Sequence, residues 1–189
     1  MPRAPILVAL AAAGTVLLAG CGGSGEESTA PAATAAPPQR VELGWAERHE
    51  AEGQRIDFRV AELAVTRDGW RARVSVTNGT ETSYALAGGE PPAGLSFGLM
   101  LFRTGDLREL EQRNRAGDLP GLRRARSYEP PPPEVLEPGR SWSGTISAPG
   151  SLAAGLFVRV VFGTLVPLGD SPPGFPERLV WITDNAYRL

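Results

Sequence analysis
The chain has 189 residues, with 19 basic residues, all arginine, against 21 acidic ones, a single histidine and a single cysteine, for a formal net charge of −2. So even a balance sets up no global field for nucleic acid; one cysteine allows no internal disulfide, and one histidine allows no two-histidine zinc site. Setting aside an N-terminal leader and linker, about 150 residues remain, enough for one domain with its own core.

Residues 1–20 run from Arg3 through the apolar stretch Ile6 to Leu18 into small residues. That stretch is 13 residues long, against the roughly 20 a spanning helix needs, so it reads as a signal segment. It ends in Leu18-Ala19-Gly20-Cys21, which resembles the lipobox of bacterial lipoproteins. The resemblance implies that Cys21 becomes the first mature residue and carries diacylglycerol and a further acyl chain such as palmitate. It also implies attachment at the extracytoplasmic face of the cell membrane. One acyl chain holds only marginally and two hold durably. The lysine-free, Ala/Gly/Pro-rich composition looks like a high-GC coding bias, and with the lipobox it points to a Gram-positive source. Residues 21–40 then form a lipidated cysteine and a linker without large apolar side chains, expected to be a disordered tether with a span of about 25 Å and a stretched limit of about 65 Å.

The folded domain is expected over residues 41–189. Val41 to Arg55 sustains neither a strand nor a helix period and reads as a solvated loop or strand end. It holds His49 beside Glu47, Glu50 and Glu52, but Gly53 stands where a second HExxH histidine belongs. From Ile56 the pattern sharpens. Ile56, Phe58 and Val60 alternate with polar residues, then Ala61, Leu63 and Val65 take the opposite phase, which demands a bulge or bend at Val60 and Ala61. Asp68-Gly69 is read as a two-residue hairpin turn that sets Val65 against Ala72 and Leu63 against Val74, with Trp70 inward. Asn78-Gly79-Thr80 reads as the next turn, with Thr82, Tyr84 and Leu86 returning along Val76, Val74 and Ala72.

Leu95 to Phe102 is apolar in both phases, the pattern of a central strand or of one covered on its second side by the segment after it. A short surface helix is expected from Asp106 with Glu109, ending at Gly117 or Pro120. Around it Arg113, Arg115, Arg123, Arg124 and Arg126 form a basic cluster. These five are candidate contacts for an anionic partner such as lipid headgroups or an envelope polymer, or else pair with Asp106, Glu109 and Glu111. Pro130 to Pro133 is a stiff connector, and Pro138-Gly139 fits a type II turn. Trp142 and Ile146 point inward on the next strand, Leu156 to Phe162 makes another, and Arg159 lies in phase with Phe157 and Val161, so it is either paired or at an edge. Leu179 to Thr183 is the last strand, with Tyr187 and Leu189 folding back on the core.

About seven short strands, one helical excursion and a cysteine-free core make an all-β, immunoglobulin-like antiparallel sandwich. Trp70 to Asn78, the Leu99 to Phe102 strand, Leu136-Glu137-Pro138-Gly139 and Ser141 to Ile146 resemble the telokin-like domains of Gram-positive lipoproteins. No catalytic triad, phosphate loop, metal set or cofactor motif is present, and Ser143 replaces the glycine that a G-x-S-x-G around Ser141 requires. The expectation is therefore a membrane-anchored binding or accessory module rather than an enzyme, its partner an envelope protein or polymer. The alternatives are a small carboxylate-dependent hydrolase, with Glu47, Glu50 or Glu52 converging on arginines, and an exported protease inhibitor.

Overall fold
Alternating apolar residues along Ile56 to Val60 and Trp70 to Val76 drive two long strands face to face with a second sheet. The computed structural model describes residues 34–86 and 97–189. Its elements in chain order are β1 (Gln39–Ala51), β2 (Gln54–Val65), β3 (Gly69–Gly79), β4 (Tyr84–Ala85), β5 (Gly98–Phe102), α1 (Leu107–Ala116), β6 (Arg123–Arg124), β7 (Ser127–Glu129), β8 (Val135–Leu136), β9 (Ser141–Pro149), β10 (Phe157–Pro167), β11 (Leu179–Ile182) and β12 (Tyr187–Arg188). One antiparallel sheet runs β1-β2-β3-β9-β7. The other runs β6-β5-β10-β4-β8, with β11 and β12 also on β10. Over the described residues the protein is an all-β sandwich with one helix. The twelve strands exceed the expected seven because the chain crosses between sheets through pieces of two or three residues.

Phe58 and Phe162 meet across the sheets with ring centroids 5.0 Å apart, and Phe97 packs on Phe162 and Trp142 at 5.5 and 5.6 Å. Each such buried ring contributes about 2 to 3 kcal/mol. A second, smaller cluster lies outside the sandwich. Met100, Phe102 and Val161 face Leu110 of α1, so β5 is covered on one side by the core and on the other by the helix that succeeds it. Asp106 caps α1, accepting from the Arg108 N–H, and Gly117 ends it at φ 67°, as expected. Trp70, Trp142 and Ile146 are buried, and Tyr187 and Leu189 pack on the core. Pro138-Gly139 turns as expected, with Gly139 at φ 70° and the Arg140 N–H donating to the Glu137 carbonyl.

Four expectations need correction. Val41 to Arg55 is not a loop but most of the β1–β2 hairpin, turning at Glu52-Gly53, both with positive φ. Its alternation is masked because the half-buried phase holds Glu47 and His49 beside Val41, Leu43 and Trp45. The next hairpin turns at Arg67-Asp68 instead of Asp68-Gly69, so Val65 pairs with Trp70 and Leu63 with Ala72. The two-residue shift keeps every side chain on its face. Gly69 is needed elsewhere, since a Cβ there would lie 2.4 Å from the Ala148 carbonyl oxygen. The bulge expected at Ala61 is present, between the Val60–Val74 and Glu62–Arg73 pairs.

The strand after Asn78 does not return along β3, because β9 occupies that edge from Gly69–Pro149 to Thr77–Ser141. Tyr84 and Ala85 instead join β10 and β8 in the other sheet. Asn78 makes the crossing possible. Fully buried, its side-chain NH2 donates to the Thr82 and Leu136 carbonyls, and its Oδ1 accepts from the Thr80 N–H and hydroxyl. Leaving any of these unmet would cost about 1 to 3 kcal/mol. Finally, the sandwich takes in residues assigned to the linker. Ala35 bridges Ala153, the buried Ala36 donates to the Leu152 carbonyl, and β1 begins at Gln39.

Candidate functional site
The basic cluster is divided by the fold. Arg113 and Arg115 lie on α1, where Arg113 Nε is 3.0 Å from Glu109 Oε1 and Nη1 is 3.1 Å from Asp118 Oδ2. Arg115 donates to the Glu111 carbonyl one turn back. Arg113 therefore matches the pairing alternative, with its charge already matched. Arg123, Arg124 and Arg126 belong to a separate segment that steps from β6 in one sheet to β7 in the other. The Ala125 N–H donates to the Phe97 carbonyl at 2.8 Å and the Arg126 N–H to the Ser147 carbonyl at 2.7 Å, pinning the step to both sheets. Ala125 takes the inward phase, so its exposed neighbours Arg124 and Arg126 point out.

The three arginines rim a groove of about 470 Å³ whose other walls are Trp70, Leu122, Ala148 and Pro149. An adjoining groove of about 240 Å³ shares Trp70, Arg126, Ala148 and Pro149 and adds Arg71. Among the described residues no carboxylate pairs with Arg71, Arg123, Arg124 or Arg126; Arg123 donates only to the Ser151 carbonyl, at 3.2 Å. The loop that holds this carbonyl continues into Leu152 and Ala153, which bind Ala35 and Ala36. The unpaired guanidinium groups thus stand beside the point where the chain enters the sandwich.

Among the described residues, Glu47, Glu50 and Glu52 do not converge with arginines in a pocket; the one such contact among them is the exposed pair of Glu50 with Arg48. Glu47 accepts four hydrogen bonds, from Trp181 Nε1, the Asp184 N–H, and the N–H and Nδ2 of Asn185, and so clasps β1 to the segment after β11. His49 packs edge-on against Phe175 at 4.5 Å. Glu50 lies 3.7 Å from Arg48 on the surface, and Glu52 sits exposed in the β1–β2 turn. Glu62 is held by Arg40 at 2.7 Å and Arg73 at 3.2 Å, and the Arg40 hydrogen bond keeps its carboxyl below the usual range. Asp57 lies 3.2 Å from Arg55. The Ser141 hydroxyl shares a hydrogen bond with Thr77. Cys21 lies outside the described residues. Among those residues no three His, Cys, Asp or Glu side chains gather as a metal site, and no helix is long and apolar enough to cross a membrane.

No family model, curated protein or solved structure matches this chain. What the sequence reading missed is a second surface. Leu107, Leu110 and Leu119 face Val180, Trp181 and Ile182 across a groove of about 510 Å³. Leu107 and Leu110 were legible as one helix face, but the strand opposite them is seventy residues downstream in sequence.

Proposed function
We propose that the chain is a lipid-anchored lipoprotein on the extracytoplasmic face of the cell membrane, and that its sandwich acts there as a non-enzymatic binding or accessory module for an anionic envelope component. The anchor rests on Leu18-Ala19-Gly20-Cys21 and the apolar run before it. The observation that carries the binding role is the step from β6 to β7, which presents Arg123, Arg124 and Arg126 to solvent with no carboxylate partner among the described residues. Gathering so much unmatched charge in one place does nothing for the fold, whereas Arg73, Arg55, Arg40 and Arg108 are matched by Glu42, Asp57, Glu62 and Asp106. A second reading, contact with an envelope protein, draws on the α1–β11 groove, where Leu107 and Val180 are 38% and 46% exposed. The test is crosslinking of the full-length protein in its own cells, with Cys21→Ala as the unanchored comparison. Membrane retention that withstands a high-salt wash and a reproducible adduct, both vanishing in the variant, are expected; salt-resistant retention that survives Cys21→Ala would overturn the anchor.

A further inference from the structure
We infer that the face formed by Arg71, Arg123, Arg124 and Arg126 docks on the anionic headgroups of the same leaflet that holds the anchor, so that the sandwich lies down on the membrane by this end. The inference deepens the proposed function and rests on its extracytoplasmic placement. Three observations carry it.

The first is charge. Four guanidinium groups border two adjoining grooves in which, among the described residues, Asp68 is the only lining carboxylate. Each guanidinium offers a planar fork of N–H donors suited to phosphate oxygens. The second is shape. Trp70, Ala148 and Pro149 line both grooves; Trp70 is buried, so the half-buried Ala148 and the exposed Pro149 supply a small apolar patch among the arginines. The third is position. Pro149 and Ser151 lead directly into Leu152 and Ala153, where Ala36 and Ala35 are bound. Only thirteen peptide steps separate Cys21 from Thr34, a reach of at most about 45 Å, while a domain of this size is about 40 Å across. A leash about as long as the domain is wide keeps its point of attachment within about 45 Å of the leaflet, and the basic face is beside that point, so it is among the surfaces the leash brings within reach of the headgroups.

The experiment uses the processed chain, residues 21–189, which retains every described contact, with Cys21→Ser so that no acyl chain contributes. Its sedimentation with vesicles of phosphatidylglycerol mixed into phosphatidylcholine is compared with vesicles of phosphatidylcholine alone. Binding to the anionic vesicles only, weakened by salt, is expected. Replacing Arg123, Arg124 and Arg126 together by Ala should lower partitioning by about 100-fold. Replacing all three by Lys should restore most of it, and Arg113→Ala on α1 should leave it unchanged. Circular dichroism keeps an unfolded variant from counting. Equal binding to both vesicle types, no binding to either, or anionic binding untouched by the triple Ala variant would overturn the inference. So would binding to soluble poly(glycerol phosphate) without binding to vesicles, which would make the partner a polymer. Since no lipid is attached to this chain, its result stands apart from whether Cys21 is acylated in cells, where the fractionation of Cys21→Ala reports separately.

Discussion

Arg159 stands on β10 between Phe157 and Val161, in the phase that looks away from the inter-sheet core, and it is fully buried there. Its guanidinium donates to the carbonyls of Thr183, Asp184 and Gly105, and lies 5.4 Å from the centre of the Phe102 ring. Burial lowers its pKa, and Asp184, Glu47, Glu109 and Asp106 work against that from a distance; an arginine keeps its charge all the same. The sequence left it either paired or at an edge. It is neither in the expected sense, because its partners are backbone oxygens rather than a carboxylate. The phase pattern told which face it takes; the three carbonyls come from loops more than twenty residues away and leave no mark in the pattern. Through them Arg159 ties the approach to α1 and the segment after β11 to the middle of the sheet. Arg159→Ala should therefore cost about 3 to 5 kcal/mol in urea unfolding, through three acceptors left dry. Arg159→Lys should recover only part of this, since one ammonium cannot reproduce the planar fork. A loss below about 1 kcal/mol for the Ala variant would mean that water reaches those carbonyls.

At the scale of elements, the groove depends on how closely β5 and β6 approach. Gly98 pairs with Arg124, and a Cβ on it would lie 2.3 Å from the Arg123 carbonyl oxygen. That contact is with backbone, so it cannot be relieved by a rotamer change. Gly98→Ala should push β6 off the edge of β5 and release the Arg123 to Arg126 step. The expected result is a loss of about 1 to 3 kcal/mol in stability with faster amide exchange at Arg124 to Arg126, while α1 keeps its protection. Elements whose signals are local were legible: α1 from Asp106, Glu109 and Gly117, the bulge at Ala61, and the inward Trp70 and Trp142. Those decided by competition between distant strands were not. Asn78 to Leu86 carries a good hairpin pattern, but β9 fits the same edge of β3 over nine pairs, and no local pattern reveals the rival. The arginine cluster shows both cases. Its five members were visible as a run, and only the fold separates Arg113, bound to Glu109 and Asp118, from the three on the step between sheets.

For the whole molecule, acid stability depends on how its carboxylates are held. Glu62 titrates below its ordinary 4.5 through the hydrogen bond from Arg40, and Asp106 below its ordinary 3.8 through the side chain and N–H of Arg108. Burial pushes Glu109 up, but the Thr104 hydroxyl and N–H and the Arg113 guanidinium pull it further down, so it too ends below 4.5. For these three the unfolded chain takes up protons first as the pH falls. Their stabilisation is complete above the ordinary values and is lost as the pH drops through the lowered ones. Asp184 has the opposite sign. Burial, and then the neighbouring Glu47, raise it above 3.8 despite Arg159, so it adds stability below 3.8 that disappears as the pH rises through its raised value. With three groups against one, the urea midpoint should fall as the pH is lowered from about 5 to about 3. Asp184→Asn isolates the opposing group, because an amide stands in for the protonated acid. The variant should be slightly more stable than the parent at neutral pH, slightly because the residue is exposed and solvent screens its charge. That advantage should shrink to nothing in acid. A variant less stable than the parent at neutral pH, with the deficit closing as the pH fell, would mean instead that Arg159 holds Asp184 ionised and that this carboxylate balances the buried guanidinium charge.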